Sequence, residues 1–171
     1  MFGKSRKSCN KLPEVISLAE FEEILKKTRK FSHRLAFKLA FFCCLRISEV
    51  VHLRPEDIDK GRDYIFIRQG KGNKDRYVPI AKPVMKDLKN LPVSSGYRAL
   101  EKAINRISEK AIGKRICFHT LRHSGATFYL NQNMNIRQLQ LLLGHASLAS
   151  TMIYTHVNPT DLRNKFKEIW K

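Results

Sequence analysis

Three short stretches of this chain carry side chains suited to handling a phosphodiester. They are Leu45-Arg46-Ile47-Ser48-Glu49, Gly70-Lys71-Gly72 and His119-Thr120-Leu121-Arg122-His123. A phosphoryl-transfer transition state spreads negative charge over non-bridging oxygens, and two arginines can clamp those oxygens with forked hydrogen bonds. Histidines supply donors or acceptors near neutral pH, and a lysine on a turn can hand a proton to a departing oxygen. Each stretch also has a plainer reading. Arg46 follows an apolar helix and could cap its C-terminus. Lys71 could be an ordinary turn lysine. His119 could open a helix with Arg122 and His123 on its solvated side. No carboxylate cluster offers itself to a divalent cation, so the sequence favours a mechanism without metal or cofactor. Such a mechanism needs a side-chain nucleophile or an activated water.

The charge balance fits a polyanionic substrate. Lys and Arg number 33 against 15 Asp and Glu, giving a formal net charge of +18. A domain this basic commonly meets nucleic acid; an acidic membrane surface, an acidic protein or a merely solvated basic face are the alternatives. The cysteines, Cys9, Cys43, Cys44 and Cys117, form no CxxC pair and no zinc-type spacing. Cys43 and Cys44 sit in an apolar run and read as core, which points to a reducing, cytoplasmic setting. The longest apolar run, Leu39 to Leu45, is too short to cross a bilayer. The N-terminus has no apolar segment of a secretory signal. No membrane partner is expected.

The elements that must position these residues are mostly helical. Residues 1–14 read as a basic tail or linker remnant and 15–171 as one domain. Ser17-Leu18-Ala19-Glu20 is a capping box opening a first helix. A second helix is expected from Ser32 to Leu45 and a short third one from Ser48 to Leu53, stopped by Pro55. Alternation over Asp63–Gln69 and Arg76–Ile80, around the turn 70–75, predicts a hairpin, to which a strand near Ile58 could add. Further helices are expected after Pro83 to about Leu91, and at about 97–112, 120–132, 135–143 (ended by Gly144) and Leu148–Tyr154. A last one starts at Pro159, with Leu162, Phe166 and Ile169 on one stripe. The fold class is mainly α with a small antiparallel β-sheet, an α+β domain.

Taken together the motifs resemble the tyrosine recombinases or phage-type integrases, the Xer-like branch in particular. The resemblance rests on Cys44-Leu45-Arg46-Ile47-Ser48-Glu49-Val50, on Gly70-Lys71-Gly72-Asn73-Lys74-Asp75-Arg76, and on His119-Thr120-Leu121-Arg122-His123 followed by Leu143-Gly144-His145 and Thr151-Met152-Ile153-Tyr154-Thr155-His156. Arg, Lys, His-x-x-Arg, His, Tyr is the family's order, and the nine residues from His145 to Tyr154 suit it. The resemblance covers most of residues 17–160 and implies the catalytic-domain fold of that family.

It also implies roles. Tyr154 would attack the scissile phosphate and become linked to the 3′ end. Arg46 and Arg122 would clamp the phosphate. Lys71 would protonate the departing 5′ oxygen, His119 would move the tyrosine's proton, and His145 would bond a phosphate oxygen. Glu49, three residues after Arg46, would orient that arginine, with a surface acid as the alternative. His123 would hydrogen-bond in the core, in a supporting role; His156 is less defined. Tyr64 and Tyr77 read as hairpin packing, Tyr97 as the start of a helix and Tyr129 as core.

Double-stranded DNA is the implied partner, probed by basic residues crowded before Arg34 and at Lys110, Lys114 and Arg115. A homo-tetramer on DNA is the implied assembly, with residues 158–171 docking on a neighbouring protomer or packing on their own domain. Family members commonly carry an N-terminal DNA-clamping domain of about a hundred residues. This sequence shows only the basic tail there, which reads as an excised catalytic domain or a minimal enzyme. Two alternatives stand beside the recombinase: a type IB topoisomerase-like relaxase and a non-catalytic DNA-binding regulator.

Overall fold

The computed structural model describes residues 14–68, 75–144 and 159–171, the side chains of 159–161 excepted. Its elements run α1 (Leu18–Lys27), α2 (Phe31–Phe42), α3 (Ile47–His52), β1 (Ile58–Asp59), β2 (Tyr64–Ile67), β3 (Arg76–Pro79), α4 (Lys82–Met85), α5 (Tyr97–Ile112), α6 (Phe118–Asn131), α7 (Ile136–Leu143) and α8 (Pro159–Ile169). It is mainly helical with one small antiparallel sheet of order β1-β2-β3, as the sequence predicts.

Helix α2 is the hub. Its Leu35, Phe37, Leu39, Ala40, Phe41 and Phe42 are all buried, the pattern of a helix surrounded by its own protein. α1 packs beside it. Its start is fixed by the reciprocal cap between Ser17 and Glu20, at 2.8 and 3.2 Å, and its Phe21 stacks on Phe41 with ring centres 4.2 Å apart. α6 crosses α2 at Gly125, where an added Cβ would stand 1.9 Å from the Phe41 carbonyl oxygen. Only glycine permits that approach.

The sheet turns Ile65, Ile67 and Val78 inward. The pairing runs Tyr64↔Pro79 to Ile67↔Arg76, so the connection carrying Lys71 leaves the sheet from the Ile67–Arg76 end. The weakly marked strand at Ile58 is present and pairs with β2.

Some expectations shift. α2 stops at Phe42 rather than at Leu45. The helix expected after Pro83 is split into α4 and a 3-10 turn at Leu88–Asn90. α6 begins at Phe118, so His119 lies inside its first turn. The helix expected around Leu148–Tyr154 lies outside the described residues.

Helix α8 packs on its own chain. Leu162 and Phe166 are buried, Trp170 meets Phe42 edge-on with centroids 5.1 Å apart, and its indole N–H donates to the Tyr129 hydroxyl at 3.3 Å. Cys43 and Cys44 are buried thiols; burial pushes Cys43 up to about 12, which suits the core role read for them. Among the described residues, no helix is long and apolar enough to cross a membrane.

Candidate active site

The site begins where α2 is made to end. Beyond Phe42 the chain passes through Cys44 at φ 52°, a left-handed conformation uncommon for a residue with a side chain. Two buried side chains of α6 hold it there. The Tyr129 hydroxyl donates to the Phe42 carbonyl, and Arg122 Nη1 donates to the Cys44 carbonyl at 2.5 Å. The turn delivers Arg46 to the N-cap of α3. Arg46 therefore does not cap α2, the plainer reading of its position.

Glu49 fixes Arg46 from within the first turn of α3. One carboxylate oxygen accepts the Arg46 backbone N–H at 2.8 Å and the other accepts Arg46 Nη1 at 3.0 Å. The surface-acid alternative is excluded, since the Glu49 side chain is only 6% exposed.

Arg122 sits one turn into α6 with its side chain 5% exposed. Its second amino group donates to the Leu143 carbonyl at 2.7 Å, at the last residue of α7. Nη1 also lies 3.8 Å from Glu49. Burial first, and then the Arg46 charge, bring Arg122 down to about 10, so it remains cationic at neutral pH. His119 and His123, on the same helix, meet edge to face at 4.4 Å. Partial burial, then the charges of His123, Arg122 and Arg46, hold His119 below the ordinary histidine value. It is therefore neutral at neutral pH, able to accept a proton.

The structure adds a residue to the sequence reading. Arg76, the first residue of β3, forks onto Glu49: Nη1 to Oε1 at 2.8 Å and Nη2 to Oε2 at 2.9 Å. Burial alone would raise the Glu49 pKa, but the Arg76 fork, followed by Arg46, outweighs it and holds the group below the ordinary carboxylate range. The signal was available in the alternation. Arg76 shares the inward side of β3 with Val78, opposite Ile67, and an inward charge calls for a buried partner.

Of the residues singled out from sequence, Arg46, Glu49 and Arg122 converge, with His119 and His123 alongside on α6. Lys71, His145, Tyr154 and His156 lie outside the described residues. The other tyrosines fit their packing roles. Tyr129 is fully buried on Phe42, and Tyr64 meets Tyr77 edge-on at 5.9 Å. Among the described residues, no group of three or more His, Cys, Asp or Glu could hold a metal ion. The site offers fixed cationic donors around a buried carboxylate, an arrangement that stabilises an anion whose charge grows during reaction.

Residues 14–161 match the phage integrase family. The chain is 32% identical to the tyrosine recombinase XerA of Pyrococcus horikoshii in an alignment 183 positions long, the match covering 96% of this chain and 64% of that protein. The chain thus spans a little under two thirds of that relative's length. The integrase from mycobacterium phage Brujita has the same fold, with a TM-score of 0.79 at 23% identity over 94% of this chain and 59% of that one. The XerH site-specific recombinase, solved bound to palindromic difH substrate in a post-cleavage complex, gives a TM-score of 0.69 at 27% identity, covering 95% of this chain and 54% of its own.

Proposed function

The chain belongs to the phage integrase family, and on that basis we propose that it is the catalytic part of a tyrosine recombinase that cuts and rejoins DNA through a 3′-phosphotyrosyl link. The observation that carries the reading is the convergence of Arg46 and Arg122 on Glu49, with a neutral His119 on the same helix as Arg122.

In this reading Arg46 and Arg122 hold the non-bridging oxygens of the scissile phosphate. The Tyr154 oxygen forms a bond to phosphorus as the bond to the 5′ oxygen breaks. His119 takes the phenol proton, Lys71 supplies a proton to the departing 5′ oxygen, and His145 bonds a phosphate oxygen. The diester is exchanged rather than hydrolysed. A 5′ hydroxyl from another strand can therefore reverse the step with no nucleotide cofactor. No step calls on a metal.

Double-stranded DNA is the substrate, held by a chain of net charge +18 through phosphate contacts that weaken with salt. Assembly as a tetramer on DNA and a cytoplasmic location belong to the same reading. If α8 docks on a neighbour, it must first give up the contacts of Leu162 and Phe166 with its own chain.

The test is a denaturing gel with a randomised pool of nicked duplexes, from which adduct-forming sequences are recovered. Wild type is expected to yield a covalent protein–DNA species and Tyr154→Phe to yield none while still binding DNA. Transfer of the held strand to a second duplex separates a recombinase from a relaxase. Absence of adduct from wild type across the pool would leave a DNA-binding regulator as the better reading.

A further inference from the structure

The geometry points to Arg76 as a positioning residue of the cleavage site proposed above, on which reading this inference rests: by occupying both oxygens of Glu49 and packing on Gly144, it keeps Arg46 and Arg122 available for phosphate and sets the segments beside them.

Three guanidinium groups surround one carboxylate. Glu49 lies 2.8 Å from Arg76, 3.0 Å from Arg46 and 3.8 Å from Arg122. A buried carboxylate draws in whatever cation is nearest, because the attraction is strong where water is scarce. Arg76 satisfies that pull with the bidentate geometry that a guanidinium fits best. Arg46 then needs only one side-chain bond to Glu49. Arg122 makes no hydrogen bond to it; each of its amino groups gives one N–H to a carbonyl, of Cys44 or of Leu143, and keeps a second N–H.

Arg76 also lies against Gly144. A Cβ placed on Gly144 would stand 2.8 Å from both Cδ and Nε of Arg76 and 2.9 Å from Cζ. The glycine thus leaves room for the arginine, at a φ of 59° that also favours glycine. Arg76 Nε is buried with no hydrogen-bond partner among the described residues; among these, the fork and the glycine contact seat the group.

The chain positions give this its meaning. Arg76 opens the strand that follows the turn bearing Lys71, and Gly144 immediately precedes His145. One side chain therefore joins the hairpin, α3 and the end of α7, three segments that carry or adjoin proposed catalytic residues.

The experiment compares wild type, Arg76→Gln, Arg76→Lys, Glu49→Gln and the pair Glu49→Gln/Arg76→Gln on the duplex recovered above. It reads adduct rate at saturating DNA, DNA affinity as a function of salt, and Tm. Arg76→Gln is expected to lose roughly 10²-fold in adduct rate, the scale of a misplaced site, with DNA affinity and its salt slope little changed. The pair is expected to recover about tenfold over Arg76→Gln, because the carboxylate that pulls on the clamp is gone. Arg76→Lys, which keeps the charge but loses the fork, is expected to fall between wild type and Arg76→Gln.

An Arg76→Gln variant that cleaves like wild type overturns the inference alone. So does a pair that recovers nothing, or a salt slope that falls by about 0.9, the mark of a lost phosphate contact. Should Arg76→Gln not fold, folded Arg76→Lys carries the test, and a wild-type rate there overturns it. A wild type that makes no adduct on any duplex fails the cleavage reading itself, and this inference with it.

Discussion

Gly125 of α6 and Phe41 of α2 touch backbone to backbone: a Cβ at residue 125 would lie 1.9 Å from the Phe41 carbonyl oxygen and 3.2 Å from Cys44 Sγ. That contact fixes how near Arg122, three residues earlier on α6, comes to the turn at Cys44. The apolar crossing and the polar site are thus one piece of geometry.

Gly125→Ala should therefore damage both. The helices must part or bend, and overpacking of this kind costs about 1–3 kcal/mol. In a chain of this size each kcal/mol lowers Tm by roughly 2–4 °C. Thermal unfolding checks it, and an unchanged Tm would show that the crossing is softer than described.

Arg122→Gln removes the donor that the Cys44 and Leu143 carbonyls share. Stranding buried acceptors costs about 1–3 kcal/mol, and loss of one clamp donor costs on the order of 10²–10³ in adduct rate. Single-turnover cleavage at saturating DNA measures the second effect apart from binding. A loss no larger than the fall in folded fraction would remove Arg122 from the clamp.

Glu49 should make the fold acid-sensitive. Its pKa in the folded chain is held below the ordinary carboxylate value, so the unfolded chain binds its proton first as pH falls. The stabilisation is fully present above the unfolded value and is lost as pH falls through the folded one. Tm followed from neutral pH into acid should drop more steeply for wild type than for Glu49→Gln. Parallel curves would show that Glu49 is not the group responsible.

His119 gives a kinetic counterpart. Burial, then the neighbouring charges, lower its pKa, which favours the neutral, proton-accepting form. Adduct rate should rise with pH through that lowered pKa and then level off. His119→Gln should cost about 10²-fold or more, the range of general acid–base catalysis, and should flatten the acid limb. A limb that survives the substitution belongs to another group.

Much of this was legible in the sequence because the cues were local. The Ser17–Glu20 cap, the helix over 97–112 and the Gly144 stop each depend on a few neighbouring residues. The end of α2 was not legible. Nothing in Phe42-Cys43-Cys44-Leu45 breaks a helix by composition. The break is imposed by Tyr129 and Arg122, 87 and 78 residues away, which take the Phe42 and Cys44 carbonyls. The sequence places Arg76 in a motif but shows no role for it, because its partner Glu49 lies 27 residues earlier on another element. The alternation of β3 sets Arg76 on the side of Val78, but local pattern does not say what it faces.

The three guanidinium groups around Glu49 have a thermodynamic consequence. Among the described ion pairs at this point one carboxylate faces three cations, an excess of positive charge in a place where water screens it poorly. An anion that binds there and not to the unfolded chain shifts the folding equilibrium by mass action, by RT ln(1 + [L]/Kd). In the proposed reading that anion is a phosphate of the substrate strand, and DNA becomes a component of the fold's stability as well as the object of its chemistry.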